Sequence, residues 1–114
     1  MNSTKPQAKL INVAREFSTE PAGRFPSDGP VNGERFRKEL LLPALRKSDQ
    51  HVCVNFDGTE GYGSSFLEEA FGGLVRVDGL TAADLRERLQ IESAEDPSVI
   101  EEIWQYIDHA HSEK

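Results

Sequence analysis

Two adjacent serines follow a glycine turn in Gly61-Tyr62-Gly63-Ser64-Ser65-Phe66. A hydroxyl there could be a nucleophile, a phosphate acceptor or a helix cap. A nucleophile needs a base within hydrogen-bond reach, usually a histidine held by a carboxylate. The three histidines stand elsewhere: His51 opens an apolar run, and His109 and His111 lie near the C-terminus. The spacing is also not that of a Gly-x-Ser-x-Gly nucleophile elbow, so no catalytic residue is expected. His109 and His111, two apart on a helix, point to different faces and define no metal site. Asp57-Gly58-Thr59-Glu60-Gly61-Tyr62-Gly63 is not followed by the Gly-Lys-Ser/Thr of a P-loop, so no cofactor is expected.

The cap reading is concrete. Ser65 and Glu68 have the spacing of a capping box, with serine accepting from the helix start and glutamate reaching back. Ser64, one residue earlier, is then the exposed hydroxyl and the candidate phosphoacceptor. A phosphate there would add about −1.5 to −2 of charge beside free backbone N–H groups. Gly61, Tyr62, Gly63, Ser64, Phe66 and Glu69 are the candidate partner-binding surface, with Gly61 or Gly63 expected at positive φ.

Several elements must position this turn. Leu10, Ile11 and Val13 predict a first strand, and 51–57 a second, with Val52, Val54 and Phe56 on one side. That strand is apolar enough on both faces at its start to be central and covered by helices. Residues 16–33 hold three prolines and three glycines, the chemistry of a long loop. A helix begins after Asn32, carries Phe36, Leu40 and Leu41 inward, and is interrupted or bent at Pro43. Apolar residues at 66, 67, 70, 71, 74 and 75 predict the helix that the serines open. Gly72 and Gly73 near its end imply close approach of another element, within the domain. Thr81 caps one helical turn, with Asp84 completing the box; a strand follows over 88–92. Asp96 caps and Pro97 opens a last helix with Ile100, Ile103, Trp104 and Ile107 on one face. That order indicates an α/β domain, helices packed on a small mixed sheet.

Composition bounds the role. The chain has 114 residues, 37% hydrophobic and 29% charged, with net charge −7. One domain over 9–111 is expected, with 1–8 disordered or frayed. The acidic balance argues against nucleic acid. Arg35, Arg37, Lys38, Arg46 and Lys47 are read as a solvated helix face. Cys53 is the only cysteine, compatible with a reducing compartment, and nothing resembles a signal or membrane-spanning segment. A cytoplasmic protein follows, and a homodimer is compatible with the sequence.

The stretches RFPSDGPVNGERFRKELLLPAL, VCVNFDGTEGYGSSFLEEAFGGLVR and RLQIESAEDPSVIEEIWQYI resemble the STAS-like domain family of unknown function. That family is a relative of the sulphate-transporter and anti-sigma-factor-antagonist fold. The resemblance runs from about Val13 to Ala110. In the wider fold a strand leads into an Asp-Ser turn whose serine is phosphorylated; Ser64 matches it by position, with Gly63 where the aspartate would be. The resemblance also implies a GHKL, histidine-kinase-type ATPase as partner. The expected role is a non-enzymatic regulatory module that binds another protein constitutively. The alternatives are a phospho-switch at Ser64, or a small nucleotide-binding or enzymatic domain using the 16–33 loop.

Overall fold

Three strands of β-branched and aliphatic residues form the sheet of the computed structural model, which describes residues 8–47 and 51–111. Strands β1 (Ala8–Asn12), β2 (His51–Asn55) and β3 (Leu89–Glu92) lie in the order β1-β2-β3, and both pairings are parallel. The α/β class and strand positions are as expected. The sheet is parallel throughout rather than mixed, because a helix separates each strand from the next. Val13 does not extend β1. Asn12 accepts the amide of Arg15 at 3.0 Å and turns the chain into the short helix α1 (Val13–Glu16). Of the segment expected to fray, residues 1–7 lie outside the described residues; Ala8 opens β1.

Registry sets the two faces. Ile11, Val54 and Ile91 form one cross-strand row on the inner face, and all are buried. The row Leu10–Cys53–Gln90 faces the other way, and there Leu10 is 57% exposed. β2 is central, but among the described residues helices cover only its inner side. Parallel sheets are usually covered on both faces.

Two long helices cover the inner face, and both widen in the middle. Helix α2 runs through Gly33–Phe36, Arg37–Leu41 and Leu42–Leu45 without a break. Asn32 caps it, its side-chain oxygen accepting the Arg35 amide at 2.9 Å. Leu42 N–H reaches back five residues to the Arg37 carbonyl. The interruption expected at Pro43 takes this form: a wide turn precedes the proline and the helix continues. Helix α3 runs through Ser64–Leu67, Glu68–Gly72 and Gly73–Arg76, with a second wide turn where Gly73 N–H bonds the Glu68 carbonyl. Helix α4 (Ala82–Arg88) is longer than the single turn expected; the Thr81 hydroxyl accepts from Asp84 N–H at 3.1 Å. Helix α5 is Ser98–His109, one residue later than expected, with Pro97 as its first flanking residue. Asp96 still receives the Ser98 hydroxyl at 2.5 Å.

The core joins Val52, Val54 and Phe56 to Phe66, Leu67, Ala70, Phe71 and Leu74, as the spacing predicts. Phe17, Phe36 and Phe66 stack into an aromatic group with ring centres 5.2 to 6.0 Å apart. From α5 the buried residues are Val99, Ile103 and Ile107; Ile100 and Trp104 pack at the margin, half-buried. Arg86 lies over the Trp104 ring, 4.7 Å from its centre.

The sequence reading is wrong at Arg37. Instead of lying on a solvated face, it is buried, 1% exposed, between α2 and α3. Its guanidinium donates at 2.6 Å to both the backbone carbonyl and a carboxylate oxygen of Glu69, and it pairs with Asp78 at 2.9 Å. Gly33 allows the crossing: a Cβ there would come within 2.6 Å of the Phe66 carbonyl oxygen. Gly73 leaves the volume that the guanidinium fills, so the close approach inferred from the glycine pair is real and internal. Removing Arg37 takes the cation from Asp78 and one of three arginines from buried Glu69. Arg37→Ala is therefore expected to lower the unfolding free energy by about 3–5 kcal/mol, read from urea denaturation at neutral pH.

Candidate functional site

Parallel strands collect their connecting loops at their carboxyl ends, which is where open α/β sheets bind ligands. Here the β2–α3 turn and the β3–α5 loop meet there. Asp57 ties them together, its carboxylate accepting the amides of Ala94 and Glu95, both at 2.9 Å. Gly58 N–H donates to the Glu95 carboxylate at 2.9 Å. The Tyr62 hydroxyl donates to Asp96. Between the loops is a cleft of about 360 Å³, lined by Phe56, Glu60, Tyr62, Ser93, Glu95 and Asp96 among others. Phe56 and Tyr62 meet edge to face at 5.6 Å.

The electrostatics follow from these contacts. Burial, then the Asp96 carboxylate, push the Tyr62 phenol well above its ordinary range. The Ser98 hydroxyl, then Tyr62, hold the Asp96 carboxyl below its ordinary value. On the open sheet face, burial and an acceptor in Glu92 push the Cys53 thiol to about 11, so it is protonated and a poor nucleophile at neutral pH.

Ser64 is exposed at the first turn of α3, as expected. Its side chain contacts the Tyr106 hydroxyl, which donates to Glu102 at 2.8 Å. The caps are assigned differently. Gly63 occupies the N-cap at φ −83° and ψ 149°, and no side chain caps this helix. Helix α3 starts one residue earlier than the serine box requires, so Ser65 is its second residue and exposed. Glu68 does not reach back: it receives Arg24, and Arg76 at 3.1 Å. Neither Gly61 nor Gly63 is at positive φ; Gly23, Gly29, Gly58 and Gly79 are. Open space surrounds both turn glycines, so neither sterics nor backbone demands them.

The six residues expected to form one surface divide. Gly61 and Ser64 are exposed, and Tyr62 and Gly63 are half-buried beside them. Phe66, 0% exposed, belongs to the aromatic core, and Glu69, 2% exposed, belongs to the ion network. Most of α3 beyond its first turn is buried. The cleft's second wall, Ser93 to Asp96, was not anticipated. Its signal was the acidic loop Glu92-Ser93-Ala94-Glu95-Asp96 following a strand.

The chain matches the STAS-like domain of unknown function (DUF4325) over residues 32–99. It belongs to that family. The matched span runs from the cap of α2 to the first turn of α5, and so includes the wide turns, the Arg37 pair and both walls of the cleft. Among curated proteins and among solved structures, nothing matches. No helix of the described residues is long and apolar enough to cross a membrane.

Two outcomes check this geometry. Ser65→Ala should change stability by less than about 0.5 kcal/mol, because an exposed residue that caps nothing contributes little; a cap would cost about 1 kcal/mol. Glu68 is one contributor to acid sensitivity. Burial raises its carboxyl pKa, but hydrogen bonds from Arg76 and Arg24 outweigh this and leave it below the ordinary value. A depressed folded pKa contributes stability that is complete above the unfolded value and is lost as pH falls through the folded one. Glu68→Gln should therefore flatten the decline in urea midpoint below about pH 4.3.

Proposed function

We propose that this STAS-like domain is a non-enzymatic, cytoplasmic regulatory module that docks another protein at the carboxyl end of its sheet. The docking surface is the rim Gly61, Tyr62, Gly63 and Ser64 together with the adjoining cleft. The observation that carries this reading is the cleft itself: an aromatic floor, carboxylates on both walls, and an exposed helix start at its lip. Such a surface suits a partner that inserts a basic side chain, since carboxylates and an aromatic face both attract a cation. The family resemblance points to a GHKL, histidine-kinase-type ATPase as that partner, and the same charge argues against nucleic acid.

A phospho-switch is the second reading, favoured by the exposure of Ser64 at an uncapped helix start. Catalysis by Ser64 is disfavoured because its hydroxyl neighbour is Tyr106, itself committed to Glu102. The 16–33 segment offers no paired base and nucleophile; of its carboxylates, Asp28 is engaged by the backbone amides of Arg24 and Phe25, both at 3.0 Å.

Gly61→Trp supplies the test, because open space at Gly61 lets a bulky side chain block the rim without disturbing the fold. Immobilised wild-type chain should retain an ATPase of that type from native extract, and Gly61→Trp should retain at least tenfold less. Equal retention by both would remove the rim from the interface. A thermal shift with nucleotide alone would favour the small-ligand reading instead, since ligand at 100 times its dissociation constant stabilises by about 2.7 kcal/mol. Phosphate found on Ser64 by intact-mass analysis and mapping after incubation with that ATPase and ATP would establish the switch.

A further inference from the structure

The segment between α1 and α2 holds the docking turn from behind. The Thr19 carbonyl accepts the Glu60 amide at 2.6 Å, and the Pro21 carbonyl accepts the Gly63 amide at 3.3 Å. A few residues on, the carbonyls of Gly23 and Arg24 accept the amides of Gly33 and Glu34 at the start of α2. Ala22 N–H closes the loop onto the Val31 carbonyl at 3.0 Å. Residues 19–24 are thus a strap between the first turn of α2 and the Glu60–Gly63 rim.

Apolar contact secures little of this strap. Pro21 is buried, but Thr19, Glu20 and Ala22 are exposed, and Phe25 is 43% exposed. The strap's ionic tie to α3 is Arg24, whose guanidinium pairs with Glu68 and, at 3.3 Å, with Glu69. The six-charge network around it contains three arginines and three carboxylates, yet its members are held unequally. Arg37 is 1% exposed at its side chain and Arg24 33%. If Arg24 leaves, Glu68 keeps Arg76, and Glu69 keeps both Arg37 and Arg76. No buried carboxylate is stranded, so release lacks the large penalty of breaking an internal pair. A partly exposed pair is also weakened by salt, whereas a buried one is screened much less.

We infer that Arg24 is a releasable latch: paired with Glu68 and Glu69 it holds the strap, and through Thr19 and Pro21 the strap holds the docking turn. Release frees the Glu60 and Gly63 amides and loosens the rim while the core stays folded. The consequence for partner binding rests on the docking reading; the coupling itself does not, and is measured without a partner.

Amide hydrogen exchange on the full chain tests it. In Arg24→Ala, the Glu60 and Gly63 amides should exchange at least tenfold faster, while those of Ile103 and Ile107 in α5 keep their wild-type rates. Arg24→Lys, which retains a charge within reach, should restore most of the protection. In the wild type, raising sodium chloride from 0.05 to 1 M should produce the same selective acceleration, and in Arg24→Ala it should add nothing. Unchanged rates at Glu60 and Gly63 in Arg24→Ala would overturn the latch. So would equal acceleration of all four amides, which would mean a global loss of stability. Either failure leaves the docking reading intact, because that reading is decided by Gly61→Trp.

Discussion

A charge cannot be left alone inside a protein, and Arg37 is a charge inside this one. Its guanidinium is buried where α2 crosses α3, held by Glu69 and Asp78. Much of the local architecture serves that requirement. Gly73 leaves room for the guanidinium, and Gly33 lets the two backbones touch. The wide turns at Arg37–Leu41 and Glu68–Gly72 bring Arg37 and the Glu69 carbonyl together. Buried pairs of this kind seldom add net stability over a well-packed apolar substitute. What the pair does supply is register, since sliding either helix by one residue would pull the Arg37 guanidinium away from the Glu69 carbonyl and carboxylate. The start of α3, and with it the rim, is fixed in space by that register.

The carboxyl end of the sheet is built on this fixed point. α3 sets where the β2–α3 turn ends, and Asp57 then draws the β3–α5 loop against it through two amides. Tyr62 and Asp96 close the far side. Both cleft walls are therefore loops tied by polar contacts to a rigid scaffold, the usual arrangement for recognition surfaces. The opposite, open face of the sheet presents the row Leu10, Cys53 and Gln90, with Cys53 held as a neutral thiol.

Features with a local cause were legible in the sequence. Asn32 and Thr81 cap because a short polar side chain reaches an amide three residues ahead, and that spacing can be read directly. The stripes of α3 and the alternation of β2 likewise reflect one buried face. Features with a distant cause were not legible. Ser65 and Glu68 have capping-box spacing, but arginines 44 residues before and 8 residues after Glu68 draw it away. Arg37 looked like one cation among several, because burial of a charge depends on partners that sequence distance conceals. Only Gly72-Gly73 hinted at it, as a gap needing an occupant. Phe66 and Glu69 follow the rim in sequence, but the helix turns both inward. The cleft's second wall comes from a loop more than 30 residues later in the chain, tied back by Asp57.

The balance of charges around Ser64 bears on whether the surface is switched or simply used. An anion at a helix start gains about 0.3–1 kcal/mol from the free amides and the helix dipole when exposed. Opposing this, Ser64 is linked through Tyr106 to Glu102, and Asp96 and Glu60 lie on the neighbouring cleft. A like charge about 4 Å away costs about 1 kcal/mol in water, and less when farther off or screened by salt. The two effects are of similar size and opposite sign. A phosphate there has no strong local lever with which to refold the rim, and no arginine of the ion network faces it unpaired among the described contacts. Its action would have to be exerted on the partner, by altering the charge that the partner meets at the lip of the cleft. On the proposed docking reading, an acidic cleft would attract a basic partner without modification, which makes constitutive docking the simpler form of that proposal.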